Sequence, residues 1–543
     1  MRFILLMLFF VNTCFAQTSR PSTSNAVQRP KLVVGVVVDQ MRWDFLYRYY
    51  DRYQANGGFK RLIDRGFSCE NTYINYIPTY TACGHTCLYT GSVPAIHGIT
   101  GNNWYDTVLN KYMYCTEDKT VSGVGNNNDV GQMSPRNMLV TNICDELRIA
   151  TNFRSKVIGV SIKDRGSILP AGHSANAAYW FDGHAGNFIS STYYMKELPK
   201  WVTDFNNRKL PATYLKAGWN TLYPINTYSQ SMTIDDFNEG LAPDKLNKFP
   251  HQYDNLDKQD YGSLPGTPYG NTIVKDMAMA AVNNEELGKD DIADFLAISF
   301  STTDYVGHAY GPNSIEIEDI YLRLDKELGE LFDFLDKKIG KDQYLAFLSA
   351  DHGAAHSIHF NTLNKLPGQP IGVNFEKATD SVLKTKFGDY KFVKLWSNGQ
   401  IFLNHKVIDS VKADKKAITK TIIDFLSAQT AVQRVFEYRE LMNTPLQKTI
   451  RERTINGYFP SHTGDIQMIL KAGYTGMSGN GTTHGSWNPY DAHIPLVWYG
   501  WKIKPGKTNR ETYMTDVAPT LAALLKIQMP SGCVGTVIEE VTK

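Results

Sequence analysis

The chain reads as an α/β sandwich on a mostly parallel central sheet, with helices on both faces and inserted cap segments. Three observations predict this. The run Lys31-Leu-Val-Val-Gly-Val-Val-Val38 is apolar on both alternating faces, as a strand covered on both sides must be. Two shorter runs, Phe295-Leu-Ala-Ile-Ser-Phe300 and Tyr344-Leu-Ala-Phe-Leu348, read as further strands. Between these two, Ile317, Tyr321, Leu324, Leu328, Leu331 and Leu335 recur at steps of four and three, the apolar stripe of a helix spanning Ile315 to Leu335.

Met1 and Arg2 precede an apolar run from Phe3 to Val11 and then Cys14-Phe-Ala16. A basic start, an apolar run and small residues at its end make a secretory signal, with cleavage expected after Ala16. The run is shorter than the ~20 residues a membrane span needs, so no stable membrane insertion is expected once the leader is gone. A polar leader follows from residue 17 to residue 30. Residues 31–543 then form one catalytic domain, with insertions at about 175–269, rich in aromatics, Asn and Gly, and about 361–477. Removing the leader leaves Cys69, Cys83, Cys87, Cys115, Cys144 and Cys533, an even count that permits disulfides without assigning any.

A chain of 543 residues can hold a large α/β domain with insertions. Lys+Arg 56 against Asp+Glu 54 leaves a formal charge of +2, so no global field points to a nucleic-acid partner. A monomer is compatible with everything in the sequence.

Each of the three strands is followed by an aspartate: Asp39, Asp304 and Asp351. Ligands of open α/β sheets gather outside the carboxyl ends of strands. Asp304-Tyr-Val-Gly-His308 sets a carboxylate and an imidazole four residues apart, Asp351-His352 sets them side by side, and His484 stands in Gly481-Thr-Thr-His484. Three carboxylates and three imidazoles divide into two three-ligand sets with open positions, as catalytic zinc requires. Two such ions ~4 Å apart can stabilise both the entering and the leaving oxygen of a phosphoryl transfer. In Pro78-Thr-Tyr-Thr81-Ala-Cys-Gly-His-Thr-Cys-Leu-Tyr-Thr-Gly91, small and polar residues precede a short helical pattern, so a hydroxyl can sit at a helix N-terminus suited to phosphate. The residues alone do not choose between Thr79 and Thr81.

These motifs, with Val38-Asp39-Gln-Met and His97-Gly-Ile-Thr-Gly-Asn102-Asn-Trp-Tyr-Asp106, resemble the nucleotide pyrophosphatase/phosphodiesterase branch of the alkaline phosphatase superfamily. Within it the chain is most similar to the phosphate-irrepressible bacterial alkaline phosphatases of the PafA type, from about Arg29 to Val541. The resemblance implies an alkaline-phosphatase-like sandwich carrying two zinc ions. Asp304, His308 and His484 would hold one, and Asp39, Asp351 and His352 the other. It makes Thr81 the nucleophile that becomes phosphorylated, and Asn102 a donor to a phosphoryl oxygen, with Asn103 the alternative if the register slips by one.

Lys163 and Arg165 follow the apolar Val157-Ile-Gly-Val and, alternating, can project to one side of the chain. In the family a Lys-x-Arg here marks monoesterases, whose dianionic substrate offers one more oxygen to fixed cations than a diester does. The implied activity is zinc-dependent hydrolysis of small-molecule phosphate monoesters, in the periplasm or beyond it. A phosphodiesterase on the same scaffold is the nearest rival, and a catalytically silent metal-stabilised binding protein the rival from another class. A sulfatase is disfavoured because its Cys-x-Pro-x-Arg motif is missing. His97 is expected to serve packing beside the Asn102 loop, and His356 and His359 to stand behind the ligands or at the surface.

Overall fold

The computed structural model describes residues 27–233, 236, 249–253, 261–477 and 479–543. The expected signal (1–16), most of the polar leader (17–30) and parts of the first insertion therefore lie outside the described residues.

At the centre lie β1 (Leu32–Val38), β2 (Val157–Ser161), β3 (Asp294–Phe300) and β4 (Tyr344–Ser349), wholly buried and running parallel in the order β4, β1, β3, β2. Their apolar side chains are buried on both faces, which is why these runs show no polar alternation. Val38 stands opposite Phe300, Val37 opposite Ser349 and Ser299 opposite Ser161. The four strands thus end level, and the residues that follow them emerge along one edge.

Among the described residues the full sheet has ten strands and is mixed. Beyond β4, the strand β5 (Leu496–Gly500) and then Phe67–Cys69 join antiparallel. Beyond β2, Ala177–Asp182 joins parallel, and Asn187–Ser191 and Gly123–Val124 follow antiparallel. The expectation of a mostly parallel sheet therefore describes its centre, and the flanks mix antiparallel pairs with parallel ones, including Gly506–Thr508 beside Phe67–Cys69. Residues 177–191, inside the first expected insertion, are sheet strands here; their sequence Ala-Ala-Tyr-Trp-Phe-Asp182 is buried throughout, which accounts for its aromatic content.

Four helices bear on the site: α1 (Thr81–Thr90), α2 (Asp164–Ala171), α3 (Thr302–Tyr310) and α4 (Ile315–Leu335). α4 spans the range its stripe predicts and is capped by Ser314, whose hydroxyl accepts from the Ile317 N–H. A second, four-stranded antiparallel sheet (Val393–Ser397, Gln400–Leu403, Ile466–Leu470, Val432–Glu437) carries its own apolar core around Leu383, Ile401, Ile418, Ile422 and Ile466. All six cysteines from Cys69 to Cys533 are free thiols, and all but Cys533 are buried. Among the described residues, no helix is long and apolar enough to cross a membrane.

Candidate active site and metal centre

Level strand ends bring Asp39, Asp304, Asp351, His352 and Lys163 to one place, together with the start of α1. Two tight donor groups result: Asp39, Asp351 and His352, and Asp304, His352 and His484, each with its ligand atoms within 4.8 Å of one another. The first is the set read from the sequence. In the second His352 takes the place expected of His308, whose Nε2 lies 3.1 Å from Asp304 Oδ1. The His352 and His484 rings stack with centroids 3.5 Å apart, so the two groups meet face to face.

The donors fit divalent ions. Each imidazole has its Nδ1 on a backbone carbonyl: His308 on Thr482 at 2.8 Å, His484 on Thr79 at 2.7 Å and His352 on Gly353 at 2.9 Å. That bond fixes the tautomer and leaves Nε2 as the free ligand atom. Burial and the neighbouring Asp351 charge push the Asp39 carboxyl well above its usual range. Burial also lowers His352 and His484. Asp39 Oδ1 and Asp351 Oδ2 are buried with no hydrogen-bond partner. Crowded carboxylates, imidazoles that offer Nε2 and orphaned oxygens are what a pair of borderline cations such as zinc would satisfy.

α1 begins at Thr81, which is 1% exposed, and its Oγ1 lies 3.5 Å from His352 Nε2. Thr79 is placed otherwise: its hydroxyl donates to the Ser486 carbonyl and accepts from the Gly485 N–H. The close approach of α1 to Asp351 needs Gly84, where a Cβ would fall 2.3 Å from the Asp351 carbonyl oxygen. Asn102 Oδ1 accepts from the Ala82 N–H at 2.9 Å, which ties the residue beside Thr81 and commits that end of the amide. Asn103 starts a separate strand, Asn103–Asp106, and is exposed.

Lys163 and Arg165 do not follow the alternation expected of an extended chain. Lys163 is the N-cap of α2 and Arg165 lies in its first turn, because Asp164 already has helical geometry and is held by the hydroxyls of Tyr114 and Thr116. Lys163 Nζ donates to Asp39 Oδ2 and to Asp304 Oδ2, both at 2.6 Å, bridging the two donor groups. Burial opposes its charge, but Asp304 and Asp39 raise its pKa further than burial lowers it. Arg165 Nη1 donates to the Tyr114 hydroxyl at 3.0 Å.

Two residues at the site receive no role from the motifs. Gln40 donates from its backbone N–H to Asp351 Oδ1 at 3.1 Å and from Nε2 to Asp304 Oδ1 at 2.6 Å, and so orients one carboxylate of each group. Its φ of 63° is unusual for a residue with a side chain and marks a position held by its surroundings. Gly307 makes room for it, since a Cβ there would meet Gln40 Oε1 at 1.9 Å. Tyr114 is the other, acting through Asp164 and Arg165. Of the remaining histidines, His97 is buried against Cys87 Sγ and burial pushes its pKa down to about 3. His356, beside Arg42, is likewise lowered to about 3, first by burial and then by the Arg42 charge. Both are neutral packing groups.

The family model for type I phosphodiesterase/nucleotide pyrophosphatase matches residues 33–494. Alkaline phosphatase PafA of Elizabethkingia meningoseptica is 51% identical over 525 residues, covering 95% of this chain and 95% of its own. Alkaline phosphatase PhoV of Synechococcus elongatus is 49% identical over 549 residues, covering 99% of each. The crystal structure of wild-type alkaline phosphatase PafA superposes with a TM-score of 0.91 at 50% identity, covering 96% of this chain and 100% of that one. The parallel core, the level strand ends and these likenesses place the chain in the type I phosphodiesterase/nucleotide pyrophosphatase family, a branch of the alkaline phosphatase superfamily.

Proposed function

We infer that this chain is an alkaline phosphatase that hydrolyses phosphate monoesters to an alcohol and inorganic phosphate, with Thr81 as its nucleophile. The observation that carries the reading is a buried threonine hydroxyl at a helix start, 3.5 Å from His352 Nε2, inside a double carboxylate–imidazole centre. The names of relatives at about half identity over nearly the whole chain agree with it.

Asp39, Asp351 and His352 would hold one zinc ion and Asp304, His308 and His484 the other. When bound, the two ions would supply charge for an alkoxide at Thr81 and for the departing oxygen. Thr81 Oγ attacks phosphorus in line, its O–P bond forming as the bond to the alcohol oxygen breaks. Asn102 donates its amide to a non-bridging oxygen, and the α1 N-terminus adds backbone N–H groups. Water then attacks the phosphothreonine from the vacated side, releasing phosphate and restoring the hydroxyl. Most of the rate gain would come from positioning and charge, because phosphoryl transfer passes through a loose transition state.

The buried Lys163 and the half-buried Arg165 favour monoester over diester, since the dianion offers them an additional charged oxygen. The leader supports export, with the periplasm as the working compartment. Thr81→Ala should reduce turnover of an aryl phosphate by at least about 10³-fold with metal content unchanged. Near-normal turnover in that variant would rule out the threonine mechanism. Wild-type preference for the methyl ester of the same aryl phosphate would reassign the chain as a diesterase.

A further inference from the structure

Resting on the monoesterase reading, we propose that a cavity beside His484 holds the leaving alcohol and selects flat, ring-bearing alcohols over short aliphatic ones. Thr81 Oγ1 faces His352. In-line displacement puts the leaving oxygen on the far side of phosphorus from Thr81, toward Asp304, His308 and His484. His484 also lines a cavity of about 200 Å³, together with Tyr80, Met468, Tyr474 and Trp487. A pocket of this size takes a single ring with its linker and leaves a two-carbon chain largely unsupported.

The walls suit an apolar ring. The Tyr80 ring stands edge-on to His484 with centroids 5.5 Å apart, so the residue before the nucleophile also forms the cavity's inner wall. Trp487 is oriented by its Nε1–H, which donates to Gln433 Oε1 at 3.3 Å. Gln467, also in the lining, has its amide committed to Tyr438, Gly399 and Met468, so it asks nothing polar of a ligand. Tyr474 packs at the border of the second sheet's core, which brings that sheet to the active centre. Lys471 is exposed in the same lining. Aromatic walls and a thioether reward a ring that can stack on them.

Benzyl phosphate and ethyl phosphate share a primary-alcohol leaving group and differ in the ring. Their kcat/KM values would be measured on the zinc-loaded full chain and on Tyr474→Ala, Met468→Ala and Tyr474→Phe. The two alanine variants should lose about 5- to 30-fold on benzyl phosphate and under about 2-fold on ethyl phosphate, while Tyr474→Phe keeps the benzyl rate. Retained ethyl phosphate turnover certifies that each variant is folded. Equilibrium binding of benzylphosphonate should weaken in parallel in the alanine variants. Equal losses on both esters, or benzyl phosphate turnover and benzylphosphonate binding unchanged in both alanine variants, would overturn the cavity's role and leave the monoesterase reading standing. Failure of the unaltered enzyme to hydrolyse either ester would overturn both.

Discussion

Gln40 shows how much of a metal centre is built by residues that bind no metal. Its two hydrogen bonds reach Asp304 and Asp351, which lie 264 and 311 positions away in sequence. Removing the side chain takes one of Asp304's hydrogen bonds and leaves it held by Lys163, while Asp351 keeps its backbone bond. Gln40→Ala should therefore weaken metal binding about 10- to 100-fold, as loss of a carboxylate's outer hydrogen bond does elsewhere. Titration with a competing chelator checks it, and an unchanged metal affinity would show that Gln40 is a spectator. The same residue marks a limit of sequence reading. Asp39, Asp304 and Asp351 were legible because each ends an apolar run, a local pattern. Gln40 follows Asp39 with nothing local to distinguish it, since its partners are set only by folding.

At the scale of elements, α4 was legible in full and α2 was not. The stripe on α4 is one face of a long helix and needs no tertiary information. At Lys163-Asp-Arg165 the local pattern continues a strand, but Tyr114 and Thr116 hold Asp164 and the chain turns into a helix. α4 also carries a buried acid that the reaction does not use. Burial raises the Glu327 carboxyl to about 7 against the opposing pull of its hydrogen bond to Thr272 and the charge of Lys275, and its Oε2 has no hydrogen-bond partner. The unfolded group titrates near its ordinary value of 4.5. Below that value both states are protonated and nothing is lost. As pH rises toward 7 the unfolded chain gives up the proton first, so stability falls, and above 7 the loss is complete. Glu327→Gln should thus be more stable than the wild type by about 1–3 kcal/mol at pH 8 and show no advantage below about pH 4.5. Denaturant unfolding at the two pH values measures it. An advantage that is the same at both would mean that the carboxylate charge is not the cost.

For the whole molecule, the centre doubles as a tie between distant parts of the chain. Asp39 follows β1, Asp304 lies on α3 after β3, Asp351 and His352 follow β4, and His484 comes from the segment leading to β5. Without cations, three buried carboxylates share this space with one bridging ammonium, Lys163, and two of their oxygens are unpartnered. Ions would replace that repulsion with bonds spanning the sheet, and they bind the folded chain far better than the unfolded one. Mass action then requires that stability rise with free metal: at 100 times the dissociation constant the gain is about 2.7 kcal/mol. In a chain of this size that moves the midpoint of melting by about 2 °C for each ion, and two ions add to several degrees. The chelated protein should therefore melt several degrees below the zinc-loaded one. Asp39→Asn should narrow the gap twice over, by removing one ligand and by relieving the charge crowding of the metal-free state. Calorimetric melting of both proteins in chelator and in zinc gives all four midpoints. Equal midpoints for the wild type in the two conditions would show that the double donor centre adds nothing to the fold, and with it would go the reading of these six side chains as a resident metal site.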